Sequence, residues 1–130
     1  MYILTFGVVL GISVFGLSGC QPDVHSVSIS LEEFRVTPHH IVLSGLKPLR
    51  LVITNRGREP HLFESSLLMN HNTQVVWDGA KHSTPFLGQE LWLNPNDTAI
   101  LIIEAPIGYY WFRCSLRGHK GMNGSIEIVG

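Results

Sequence analysis

A two-residue alternation of apolar and polar side chains, cut at short intervals by Pro, Gly and Asn turns, is the feature that most restricts how this chain can fold. Val27, Ile29 and Leu31 alternate with serines, and Leu49, Leu51 and Ile53 alternate with Arg50, Val52 and Thr54. A period of two sends successive side chains to opposite faces of an extended strand. Helical periodicity is almost absent beyond residue 20. Leu91 and Leu93 lead into an Asn94-Pro95-Asn96-Asp97 turn, followed by a β-rich run from Thr98 to Glu104. Ala105-Pro106-Ile107-Gly108 is a second turn, with a strand from Tyr109 to Cys114 after it and a last one from Ser125 to Val129. Only Glu64 to Gly88 lacks a clear period, which predicts a short helix or a long loop there. The expected fold is all-β, an antiparallel Greek-key β-sandwich.

Charge divides the chain. Residues 1–19 contain no Asp, Glu, Lys or Arg, and 12 of the 19 are apolar, so every charged residue lies in the remaining 111. That remainder is long enough for one domain with a real core and too short for two. The leading run is expected to be an apolar signal helix at residues 1–19. It is also long enough to span a bilayer as an uncleaved anchor. Leu17-Ser18-Gly19-Cys20 resembles the lipobox of bacterial lipoproteins, in which cleavage precedes a cysteine that takes lipid. The expected order is therefore a signal peptide at 1–19, lipidation at Cys20, a tether at 20–25 and the domain at 26–130. Such a domain sits outside the cytoplasm, in the periplasm or cell envelope, tethered to the membrane. Gln21, where Asp would follow, resembles the outer-membrane pattern of Gram-negative lipoproteins. Net charge is −1, which argues against a nucleic-acid partner. Two cysteines are too few for a disulfide framework.

The chemistry concentrates near the C-terminus, in Phe112-Arg113-Cys114-Ser115-Leu116-Arg117-Gly118-His119-Lys120-Gly121-Met122-Asn123-Gly124. In the strand before it, Tyr110, Phe112 and Cys114 share a face, which puts the thiol at the end of an inward apolar row. His119 comes five residues later and Met122 three after that. At no more than about 3.3–3.6 Å per residue, so short a loop holds all three side chains around one point. A second imidazole, His61, follows the strand end and turn Thr54-Asn55-Arg56-Gly57-Arg58-Glu59-Pro60. One thiolate, two imidazoles and a thioether suit copper, in the trigonal His₂Cys arrangement with a long axial Met. Zinc favours harder or more cysteine-rich sets. A catalytic metal would keep an open position, and none is evident, so the set favours electron transfer over substrate chemistry.

From about Phe34 to Val129 the chain is similar to the cupredoxins, the plastocyanin, azurin and pseudoazurin group of small blue copper proteins. The resemblance rests on Asn55-x-Gly57 followed by His61-x-Phe63, on Gly108-x-Tyr110-x-Phe112-x-Cys114, and on Gly118-His119-x-x-Met122-x-Gly124. It implies one type 1 copper per chain, with His61 and His119 as imidazole ligands, Cys114 as thiolate and Met122 as axial thioether. Leu62 follows His61, where plastocyanin and azurin carry an asparagine that braces the ligand loop. Arg117 stands where many relatives have proline. The Cys-x4-His-x2-Met spacing joins an azurin-like first gap to an amicyanin-like second one. A binuclear oxidase-type centre needs a second loop cysteine, and Gly118 occupies that position.

The resemblance implies a monomeric electron carrier, not an enzyme, that cycles Cu(I) and Cu(II) between redox partners such as a c-type cytochrome, an oxidase or a copper reductase. The edge of His119 is expected to surface in an apolar patch where the partner docks. The alternative is a copper chaperone, store or sensor using the same ligands. Copper enzymes with such domains place catalytic metals between domains, which this chain could do only as an oligomer. His25, His39 and His40 are expected at the solvated surface, while His71 and His82 lie in the stretch without a period.

Overall fold

The computed structural model describes residues 25–44, 48–69, 74–78 and 90–130. Residues 1–19, expected as a signal segment, and Cys20, His71 and His82 lie outside the described residues. Among the described residues ten strands run in chain order: β1 (His25–Glu32), β2 (Arg35–Thr37), β3 (His40–Ser44), β4 (Leu49–Asn55), β5 (His61–Ser65), β6 (Gln74–Asp78), β7 (Glu90–Leu93), β8 (Thr98–Ile103), β9 (Gly108–Cys114) and β10 (Asn123–Val129). One 3-10 turn, Ser66–Met69, follows β5. Among the described residues no helix is long and apolar enough to cross a membrane.

The strands form two five-stranded sheets, in the orders β2-β1-β4-β8-β6 and β3-β10-β9-β5-β7. Their faces follow the sequence period. In β4, Leu49, Leu51, Ile53 and Asn55 point inward, and in β8 Ala99, Leu101 and Ile103 do. The facing sheet contributes Phe63, Leu91, Leu93, Phe112, Ile126 and Ile128 to the same apolar cluster. Full burial of each large side chain contributes about 1.5–3 kcal/mol, so register is strongly held: a one-residue slip would turn a whole strand inside out.

The all-β sandwich is as expected, but each sheet is mixed. β1 lies parallel to β4, with Val27 opposite Leu51, and β10 lies parallel to β3, with Ile126 opposite Ile41. The other ladders are antiparallel. Parallel pairing arises because the chain keeps crossing between sheets. After β2 it leaves for β3 in the other sheet and returns with β4 running alongside β1. Alternation dictates which face of a strand is buried and says nothing about which neighbour it meets.

The stretch without a period resolves partly into β5, the 3-10 turn and β6. Val75 and Trp77 of β6 pack against the core from an edge. His25 opens β1, and His40 opens β3, where its Nδ1 lies 2.8 Å from Ser125 Oγ.

Candidate metal centre

One end of the β3-β10-β9-β5-β7 sheet gathers the predicted residues. β5 and β9 pair with Phe63 opposite Cys114, so His61, two residues along β5 and on the same buried face, overhangs the end of β9. The ladder continues by one bond, from Ser115 N–H to Leu62 C=O at 3.0 Å. Beyond it, residues 115–122 fold back. Cys114 N–H donates to Met122 C=O at 2.8 Å, and His119 N–H donates to Leu116 C=O at 3.1 Å. Gly118 and Gly121 both sit at φ +93°, a backbone state that side chains disfavour, and nothing crowds either Cα. These two glycines turn the loop tightly enough to bring His119 back over Cys114.

The result is a buried triad. Cys114 Sγ lies 3.7 Å from His61 Nδ1 and 3.4 Å from His119 Nδ1, and the two Nδ1 atoms are 3.2 Å apart. His61 is fully buried, His119 is 6 % exposed and Cys114 8 % exposed. Burial, reinforced by the neighbouring His119, holds the His61 pKa below its ordinary value, which keeps the imidazole neutral and able to ligate. Met122 is buried in the same loop, its N–H donating to His119 C=O at 3.3 Å. Phe63 and Phe112, stacked at 5.7 Å, belong to the apolar cluster that also contains Cys114.

The arrangement fits a metal ion. Three donors separated by 3.7, 3.4 and 3.2 Å define a circle of radius about 2.0 Å. Metal–imidazole bonds are about 2.0–2.1 Å and metal–thiolate bonds about 2.3 Å. Two Nδ1 lone pairs aimed at each other and at sulfur are mutually repulsive unless a proton or a cation lies between them. His61, Cys114 and His119 therefore form a group that could hold one copper ion.

Around this centre the structure adds residues that the sequence reading did not assign to it. Asn55, fully buried at the end of β4, donates from Nδ2 to Glu59 C=O at 2.8 Å and to Leu93 C=O at 3.0 Å, and its Oδ1 accepts from Gly57 N–H at 2.8 Å. It ties the 55–61 turn to β7. Glu59 Oε2 lies 3.3 Å from the outer nitrogen, Nε2, of His119. Phe34, a non-glycine residue at φ +60°, sets its ring edge-on to His119 at 5.8 Å between centroids. The β1–β2 turn that carries it is anchored by the Glu33 carboxylate accepting from Arg58 N–H. The edge of His119 is thus covered rather than bare, with Phe34 the exposed apolar residue above it. No sequence signal marks Glu59 or Phe34, because each meets His119 only through the approach of a different turn.

No protein-family model and no curated protein matches the sequence. Solved structures do match in shape. Auracyanin B aligns at TM-score 0.57 and 15% identity over 85% of this chain and 91% of its own. Auracyanin A, a "blue" copper protein of Chloroflexus aurantiacus, aligns at TM-score 0.54 and 14% identity over 82% of this chain and 100% of its own. A multicopper oxidase of Campylobacter jejuni aligns at TM-score 0.57 and 13% identity over 95% of this chain, which spans only 34% of the oxidase. The fold is therefore that of the cupredoxins, with a cysteine–imidazole group at one end of the sandwich. Within that class the chain is similar to the auracyanins over most of its own length and nearly all of theirs.

Proposed function

We propose that this chain is a type 1 copper protein that carries single electrons in the cell envelope, in which His61, Cys114, His119 and Met122 would hold the ion. The observation that carries the reading is the buried convergence of Cys114 Sγ and two Nδ1 atoms within 4.8 Å of one another. Bound there, a copper ion supplies a one-electron Cu(I)/Cu(II) couple. The chain's own part is to hold the donors still. His61 and Cys114 stand on paired strands, and His119 is held by a loop whose backbone bonds close on Cys114 N–H, so little rearrangement accompanies a change of charge. Phe63 and Phe112 give the inner side an apolar lining, and donors this deeply buried favour a carrier over an enzyme needing an open position.

Tethering through lipid at Cys20, or through residues 1–19 as an anchor, would keep the carrier beside membrane redox partners such as a c-type cytochrome, an oxidase or a copper reductase. Deep burial of the donors weighs against the alternative, a copper chaperone or store, because handover needs an accessible ion. The test is reconstitution with Cu(II), with visible and EPR spectra and metal counting. An intense thiolate-to-copper band, one copper per chain and loss of the band in Cys114→Ala are expected. A colourless oxidised protein, or a band that survives in Cys114→Ala, refutes the assignment. A colourless protein that binds Cu(I) and passes it to an apo acceptor would identify the chaperone instead.

A further inference from the structure

We propose that Glu59 is a positioning residue for the second imidazole, fixing which nitrogen of His119 carries the proton and biasing the centre toward its more positively charged state. The inference rests on reading His61, Cys114 and His119 as copper ligands and adds a role outside the ligand set.

His119 has two ring nitrogens with different surroundings. Nδ1 faces Cys114 Sγ and His61 Nδ1, at 3.4 and 3.2 Å. Nε2 faces a single described acceptor, Glu59 Oε2, at 3.3 Å. A neutral imidazole has one N–H, and the carboxylate accepts it most strongly because charge-assisted bonds outweigh neutral ones. With the proton held on Nε2, Nδ1 is left with its lone pair toward the centre, as a ligand requires. Outer partners of this kind orient metal-binding histidines.

Glu59 is equipped for this by its own backbone. Its carbonyl is gripped by the buried Asn55 amide, which also holds Leu93 C=O and Gly57 N–H. The carboxylate therefore hangs from a fixed point of the 55–61 turn, two residues before His61. One turn supplies a ligand to the inner side of the centre and a carboxylate to the outer side of the other ligand. Phe34 meets the same ring edge-on, which limits its rotation. The Leu62 position offers no side-chain amide to brace the ligand loop. Ser115 N–H instead binds Leu62 C=O, and Glu59 holds His119 from outside.

A carboxylate beside a ligand stabilises Cu(II) more than Cu(I), since the oxidised centre carries one more positive charge. The Glu59 side chain is more than half exposed, so solvent screens much of this. The expected effect of removing the charge is a roughly two- to tenfold loss of Cu(II) affinity relative to Cu(I), where tenfold corresponds to about 59 mV for a one-electron couple.

The experiment uses the full chain and its Glu59→Gln and Glu59→Ala variants. In metal-free wild type, ¹⁵N NMR of the His119 ring should find the proton on Nε2 and a bare Nδ1, and the ring signals should move in both variants. In copper-loaded protein, both variants should keep the visible band and show a raised potential. A His119 proton on Nδ1 in metal-free wild type, or variant potentials equal to wild type, overturns the proposal. If wild type forms no coloured centre, the copper reading has failed on its own, and the ring measurement still decides the role of Glu59.

Discussion

Asn55→Ala should be among the most damaging substitutions of any polar residue in this domain, and its cost can be worked from the structure. The amide makes three hydrogen bonds of 2.8, 3.0 and 2.8 Å, of which those to Leu93 C=O and Gly57 N–H are buried. A bond of this kind is worth about 0.5–1.5 kcal/mol net, and a buried partner left unpaired costs about 1–3 kcal/mol. Two buried partners and one half-exposed one give about 3 kcal/mol, out of a stability of roughly 5–15 kcal/mol for such a domain. The midpoint of thermal unfolding should fall by roughly 10–20 °C. Urea unfolding of metal-free protein is the assay, with Thr54→Val as the comparison. Thr54 Oγ1 makes one part-buried bond, 3.1 Å to Thr98 Oγ1, and its loss should cost less than about 1 kcal/mol. An Asn55→Ala loss no larger than that of Thr54→Val would refute the view that this amide clamps the 55–61 turn. The damage should also reach the centre, because His61 and Glu59 both leave from that turn: copper should dissociate faster from Asn55→Ala than from Thr54→Val.

Met122→Ala removes a fully buried side chain, so a stability loss of about 2–5 kcal/mol is expected, together with a retained visible band and a changed potential. Disappearance of the band would instead make the thioether indispensable to the centre. Gly124 lies opposite Phe112 on the β9–β10 ladder, and a Cβ there would run into the Phe112 ring and the His39 carbonyl. Gly124→Ala should cost about 1–3 kcal/mol by overpacking, read by calorimetry; wild-type stability would mean that both the Phe112 ring and the His39 carbonyl move aside freely. Glu64 donates no proton to Arg113 but accepts its Nε–H at 2.7 Å, which holds the Glu64 pKa below its ordinary 4.5. A lowered folded pKa means stability present above the unfolded value and lost as pH falls through the folded one. Arg113→Gln should therefore cost a little at neutral pH, under about 1 kcal/mol because the arginine is more than half exposed, and nothing once Glu64 is protonated. A wild-type-to-variant gap that stays constant through the acid limb would contradict this.

Much of the centre was legible because its parts are local. Cys114, His119 and Met122 lie within nine residues, and a chain that short cannot spread them far apart. The burial of Tyr110, Phe112 and Cys114 on one side of β9 follows from alternation alone, and Phe112 and Cys114 are indeed buried. His61 was another matter. It is 53 residues from Cys114, and its place beside the thiol depends on β5 pairing with β9 at Phe63 opposite Cys114. Its place after the 54–60 strand end and turn, and the resemblance in Asn55-x-Gly57 and His61-x-Phe63, pointed to it, but neither fixes which strand β5 meets. β6 escaped notice because an edge strand buries its residues only partly and shows a weak period.

The amino-acid sequence by itself determined the strand faces, the turns and the sulfur–imidazole loop, since each is settled by side-chain periodicity or by residues a few positions apart. The tertiary structure alone decided that each sheet is mixed, that Asn55 serves three backbone groups at once, and that Glu59 and Phe34 close over His119. Those features are meetings between segments brought together by crossings from sheet to sheet. No spacing along the chain encodes such a meeting; it exists only once both sheets have buried their apolar faces against each other.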